Sequence, residues 1–144
     1  MKTVKQILQS KTRGTDILSI APDASVYEAL MLMAEKEIGA LLVMEGDKLV
    51  GIISERDYAR KVILHGKSSK EIHVSEIMTG KIVYVSTAQT VDECMALMTD
   101  KHVRHLPVYE GDQLIGVVSI GDLVKEAISE REYIINQLES YIMR

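Results

Sequence analysis

Gly51-Ile52-Ile53-Ser54-Glu55-Arg56-Asp57 decides the reading of this chain, because Gly116-Val117-Val118-Ser119-Ile120-Gly121-Asp122 repeats its polar skeleton 65 residues later. Glycine, serine and aspartate fall at the same places in both stretches. Outward from the glycines the correspondence continues without a gap. Val43, Glu45, Gly46, Asp47 and Leu49 match Val108, Glu110, Gly111, Asp112 and Leu114, and Val26, Glu28, Leu32, Met33 and Lys36 match Val91, Glu93, Leu97, Met98 and Lys101. Self-similarity of this length marks a tandem repeat and outranks any local motif.

Each copy reads as a short strand, an amphipathic helix, a hairpin, and a helix opened by Ser-x-x-Asp. In the first copy residues 17–20 form the short strand, which Pro22-Asp23-Ala24-Ser25 stops. Ser25 with Glu28, and Thr90 with Glu93, have the spacing of a capping box, in which each side chain satisfies an otherwise free helix N–H. Val26, Ala29, Leu30 and Met33 share one helix face, as Val91, Cys94, Met95 and Met98 do in the second copy, and this period predicts core. Residues 40–44 and 49–53 are apolar strands joined through Glu45-Gly46-Asp47-Lys48, a turn composition. The helix after Asp57 is expected to stop near His65-Gly66.

Outside the repeats, residues 3–10 have the spacing of a short helix packed on the module, and residues 11–14 are a polar break. Residues 66–80 read as a linker. Near the C-terminus, Ile128, Ile135, Leu138 and Ile142 are spaced like an a/d seam, so residues 130–144 are expected to form a further amphipathic helix. Either it supports a homodimer or it folds back on its own module.

The order of elements and the tandem Gly-h-h-Ser-x-x-Asp pattern, each preceded by a hairpin, resemble the cystathionine-β-synthase (CBS) domain. The pair resembles a CBS tandem, or Bateman module, of the stand-alone bacterial type, over residues 15 to 130. The resemblance implies an α/β (α+β) fold of two β-α-β-β-α repeats packed with pseudo-two-fold symmetry, with short helices at both ends. On that basis the chain divides into a lead-in at 1–14, repeats at 15–65 and 81–127, a linker at 66–80 and a terminal helix at 128–144. Ser75-Glu76-Ile77-Met78-Thr79-Gly80 resembles the short turn that introduces a CBS repeat.

Taken as chemistry alone, Ser54-x-x-Asp57 and Ser119-x-x-Asp122 at a strand-to-helix junction are N-caps with an acidic third residue. The resemblance adds a role. It implies that the junctions face a cleft between repeats, where Asp57 and Asp122 accept the ribose hydroxyls of an adenosine nucleotide and Ser54 and Ser119 bond ribose or phosphate. It also implies that Arg104 and His105 approach the phosphate, aided by Arg56 and Arg60, and that Ile20, Val85, Pro107 and Ile120 line an adenine pocket. Serine stands where many members carry threonine. Arg104-His105 has no polar twin, since Gly39-Ala40 occupies its place in the first repeat, so the two halves are chemically unequal. A solvated Arg104 and a packed His105 are the plain alternative.

The chain has 144 residues, 47% hydrophobic and 26% charged, with a net charge of −4. That balance suits one compact module and excludes a broad phosphate-backbone surface, so no nucleic-acid partner is expected. Cys94 is the single cysteine and is expected to be a buried, inert thiol. With no secretory h-region and no run of about 20 apolar residues, neither membrane partner nor export is expected, and a cytoplasmic home follows. Gly46 to Gly51 and Gly111 to Gly116 have the glycine spacing of a Walker loop, but Ile52 and Val117 stand where lysine is required. His102 and His105 lack the further ligands a metal needs. No catalytic constellation is present, so the chain reads as no enzyme.

Two readings remain. One is a regulatory module, needing no cofactor, that binds AMP, ADP, ATP or NAD, forms a homodimer and signals to an effector protein. The other is a ligand-free structural or partner-docking module in which the serines and aspartates are only caps.

Overall fold

A computed structural model describes residues 2–10 and 17–142; the polar break expected at residues 11–14 lies outside them. In chain order the elements are α1 (Val4–Ser10), β1 (Ser19–Ile20), α2 (Val26–Lys36), β2 (Ala40–Glu45), β3 (Lys48–Ser54), α3 (Glu55–Lys61), a 3-10 turn (Ile63–His65), α4 (Val74–Ile77), β4 (Val85–Ser86), α5 (Val91–Lys101), β5 (His105–Glu110), β6 (Gln113–Ser119) and α6 (Ile120–Ile142). They fall into two units. One is Ile17–Ile82, and the other joins the described part of Met1–Asp16 to Val83–Arg144.

Each unit carries a three-stranded sheet, ordered β1-β2-β3 in one and β4-β5-β6 in the other. The outer pairs β1/β2 and β4/β5 are parallel, and the hairpins β2/β3 and β5/β6 are antiparallel. Even the irregularities repeat, for the register shifts between Val43 and Met44 and again between Val108 and Tyr109. Gly46 and Gly111 turn the hairpins at φ 63° and 61°, a backbone region that resists other side chains. The α+β architecture expected from the repeat is present.

The helices form for the reasons the spacing predicts. Thr90 completes a capping box with Glu93 on α5, whereas on α2 only the first arm of the expected box is made, from the Glu28 N–H to Ser25 Oγ at 3.1 Å. Both helices end on a left-handed residue that is not glycine, Glu37 and His102. There the chain turns back, so that Ile38 N–H reaches Met33 O and Val103 N–H reaches Met98 O, the closing bond of a Schellman motif. Val26, Ala29 and Met33 of α2 pack with Leu41, Val43 and Ile53 of the hairpin in one core. Val91, Cys94 and Met98 pack with Leu106, Val108 and Val118 in the other.

The short helices do not serve the repeats they precede. α4 lies in the segment read as a linker that introduces the second repeat, yet Val74 and Ile77 are buried in the core of the first. α1 precedes the first repeat in the chain, yet Val4, Ile7 and Leu8 are buried in the core of the second. The same three backbone bonds tie each helix down. Val74 N–H donates to Ala24 O, Ser75 N–H to Pro22 O, and Val26 N–H to Ile72 O. In the other unit Val4 N–H donates to Gln89 O, Lys5 N–H to Thr87 O, and Val91 N–H to Lys2 O.

At the C-terminus the structure differs from the expected separate helix. β6 runs into one uninterrupted helix of 23 residues. No glycine or proline stands between Asp122 and Ile142 to end it. Its start is held by the buried Leu123, while residues 131–142 are exposed.

Candidate functional site

The repeated Ser-x-x-Asp falls where β3 passes into α3 and where β6 passes into α6. At the first junction Ser54 is extended (φ −127°, ψ 163°) and its Oγ accepts from Asp57 N–H at 3.1 Å. Asp57 Oδ2 accepts in return from Ser54 N–H and from the Ser54 hydroxyl, both at 3.0 Å. The second junction is built alike: Ser119 N–H donates to Asp122 Oδ2 at 2.8 Å, and Asp122 N–H donates to Ser119 Oγ at 3.1 Å. Both pairs are therefore helix caps, as the sequence alone required. Capping occupies one carboxylate oxygen, and a carboxylate has a second to offer.

That second oxygen is already engaged at the first junction. Asp57 Oδ1 lies 3.3 Å from Lys61 Nζ and 3.5 Å from Thr79 Oγ1, and Lys61 also donates to Ile77 O at 2.9 Å. Asp57 keeps only 15% of its side chain exposed. At the position of Lys61 the second repeat has Glu126, which Lys2 Nζ holds at 3.0 Å. The charge four residues beyond the aspartate is thus reversed between the repeats. From sequence, Lys61 follows the first junction with Arg56 and Arg60 as a cation that either reaches a phosphate or belongs to an exposed cationic face. The aspartate–lysine spacing of i and i+4 is the one local signal for its actual partner. Thr79 and Lys2 had none, because they come from remote segments.

Backbone bonds bring the neighbouring strand to each junction. Ile120 N–H, the first of α6, donates to Arg104 O at 2.8 Å, and Glu55 N–H donates to Gly39 O at 3.0 Å. His105 lies opposite Ser119 in the sheet, as Ala40 lies opposite Ser54. Arg104 and His105 therefore stand beside Ser119 and Asp122, with Arg104 exposed and His105 half-buried. Arg56 and Arg60 are exposed on α3, beyond the first junction. Of the residues expected around an adenine, Ile20 and Ile120 are half-buried and keep accessible apolar surface, whereas Val85 and Pro107 are buried. Val85 packs in the core with no exposed surface, so its side chain can bound a pocket only from behind. Among the described residues no group of three or more His, Cys, Asp and Glu is placed to hold a metal.

A model of the CBS domain matches residues 4–64 and 74–129. The chain belongs to the CBS domain family. Each matched segment begins at one of the short helices, α1 or α4. The chain is similar to a mitochondrial CBS domain-containing protein of Arabidopsis thaliana, CBSX3, at 40% identity over 97% of this chain and 71% of the relative. Among solved structures it is similar to a putative signal-transduction protein with CBS domains from Burkholderia ambifaria (56% identity, TM-score 0.86, 89% of this chain and 95% of that one). It is also similar to the CBS domain pair of protein MJ0100, solved in complex with 5′-methylthioadenosine and S-adenosylmethionine (25% identity, TM-score 0.76, 90% and 98%). No helix among the described residues is long and apolar enough to cross a membrane.

Proposed function

We propose that this CBS pair is a non-catalytic regulatory module of the cytoplasm that binds an adenosine-containing ligand at its strand-to-helix junctions. It works as a homodimer and passes its bound state to an effector protein. The observation that carries this reading is the duplicated junction: the same Ser–Asp pair stands at the same place in both sheets, and at each the cap takes one carboxylate oxygen, Oδ2, so that a ribose would compete for the other. A carboxylate is matched to the paired hydroxyls of a ribose, and the adenosine compounds in the related MJ0100 structure share that group. AMP, ADP, ATP, NAD and S-adenosylmethionine are therefore the candidates.

In this reading Asp57 and Asp122 receive the ribose, with Ser54 and Ser119 beside them. Ile20 and Ile120 offer apolar surface to the base, backed by Val85 and Pro107. Arg104 and His105 favour a phosphorylated ligand at the second junction, where a guanidinium can fork onto phosphate oxygens. The first junction has Gly39 and Ala40 in their place, with Arg56 and Arg60 further along α3. A ligand there must also displace Lys61 or Thr79 from Asp57.

Titration calorimetry with AMP and 2′-deoxy-AMP tests the reading. A hydrogen bond to a charged group is worth about 1.5–3 kcal/mol, so the wild type is expected to bind AMP about tenfold or more tightly than the deoxy analogue. Asp122→Asn keeps an oxygen for the Ser119 cap but loses the charge, and should erase most of that difference. If wild type and variant treat the two ligands alike, or no adenosine compound binds, the aspartates are caps alone and the module is a docking or structural one.

A further inference from the structure

The distal part of α6 carries an apolar stripe that is exposed among the described residues. Val124, Ile128, Ile135, Leu138 and Ile142 fall on the a and d positions of a heptad, with Arg131 the one charged member of the seam. Ile134 and Tyr141 widen the stripe along one side. These apolar residues are between 39% (Val124) and 76% (Ile142) exposed. Together they present roughly 800 Å² of accessible surface, more than the largest patch of an ordinary monomer and on the order of what one partner brings to a stable interface. The 3.5-residue period asks for another helix.

The charges select which helix, and in which direction. Between Val124 and Ile142 the helix has Lys125 and Arg131 against Glu126, Glu130, Glu132 and Glu139, an acidic polar face that an anionic lipid surface repels. A parallel second copy would stack Arg131 on Arg131 in one seam layer. An antiparallel copy centred on Tyr133 sets Arg131 against Ile135 of the second copy, Ile128 against Leu138, and Val124 against Ile142. Lys125 then lies beside Glu139 of the second copy, twice by symmetry. Ile134 meets Ile134 at the axis, and the two Glu132 side chains there are each flanked by an arginine.

We infer that α6 pairs antiparallel with α6 of a second copy of this chain through residues 124–142, joined by the Ile128/Leu138 seam and the Lys125–Glu139 charge pairs. The inference rests on the homodimer of the proposed function and assigns its contact and polarity. Sedimentation velocity at micromolar concentration, with disulfide trapping in a Cys94→Ala background, tests it. The wild type should be a dimer whose dissociation constant rises by about tenfold or more in Ile128→Glu, with helix content by circular dichroism unchanged because Ile128 is exposed on the single chain. Lys125→Glu should weaken the dimer, and Lys125→Glu with Glu139→Lys should restore it. Ile134→Cys should trap a covalent dimer. Leu138→Cys should not, since two such residues lie ten positions, about 15 Å, apart along the pair. A monomeric wild type overturns the homodimer and the contact together. A dimer indifferent to Ile128→Glu overturns only the contact, and trapping at Leu138→Cys but not Ile134→Cys overturns the antiparallel direction.

Discussion

Cys94 takes on α5 the place that Ala29 takes on α2, and both are buried in their cores. Burial, with Glu93 beside it in the chain adding a like-charge penalty, pushes the thiol up from 9.0 to about 11. The thiolate is the reactive form, so at neutral pH the native protein should react with thiol reagents only as fast as it opens. The same shift has a consequence for stability. A group whose pKa is raised on folding contributes fully below its unfolded value and loses that contribution as pH rises through the folded one. Between pH 9 and about 11 the unfolded chain ionises at Cys94 while the folded chain resists. Tyrosines and lysines titrate there too, so the useful quantity is the difference between wild type and Cys94→Ala in urea unfolding. That difference should move against the wild type by about 1–3 kcal/mol across the window; a constant difference would place the thiol in contact with water.

At the scale of elements, the glycine that opens the repeated motif is explained by what lies over it. A Cβ on Gly51 would meet Met78 Sδ at 2.6 Å and Thr79 O at 3.1 Å, and a Cβ on Gly116 would meet Leu8 Cδ2 at 3.1 Å. In each sheet the missing side chain makes room for a short helix and the residues just after it: α4 and its sequel over β3, α1 over β6. Thr79 also exchanges backbone bonds with Ile52, so the obstruction at Gly51 includes main chain that cannot swing aside. Gly51→Ala should therefore cost about 1–3 kcal/mol of stability, in the range of overpacking. Gly116→Ala should cost less, because the end of a leucine can give. Thermal unfolding of the two variants checks the order, and Gly51→Ala combined with Met78→Ala should recover part of the loss.

At the scale of the whole molecule, the chain is organised by an exchange of lead-in helices. Val4, Ile7 and Leu8 are each buried, a gain of about 1.5–3 kcal/mol per side chain. A net stability of only about 5–15 kcal/mol cannot lose all three lightly. A chain beginning at residue 11 should then lose hydrogen-exchange protection in β5 and β6, near Val108 and Val118, while β2 and β3 stay protected. Loss of protection around Leu41 and Ile53 instead would return α1 to the repeat it precedes.

The sequence by itself determined the duplication, the strand and helix pattern, the hairpin turns, the two Ser–Asp caps and the family. Each of these rests on local periodicity or on residues a few positions apart, where backbone sterics and capping chemistry act. Even the lead-in helices leave a trace, for Val4, Ile7 and Leu8 match Val74, Ile77 and Met78 in spacing. What covers Gly51 and Gly116 was decided only by the tertiary structure, since spacing carries no record of which of two similar cores a short apolar helix will fill. The same holds at the sites. That Lys61 and Thr79 take the second oxygen of Asp57, and that Lys2 reaches Glu126, depends on segments far apart in the chain meeting at one point. The continuity of the helix from Asp122 to Ile142 was legible in the lack of glycine and proline there, though the expected boundary at residue 128 divided it. That its distal apolar face is exposed among the described residues was not, because an amphipathic stripe looks the same in sequence whether its own fold or another molecule covers it.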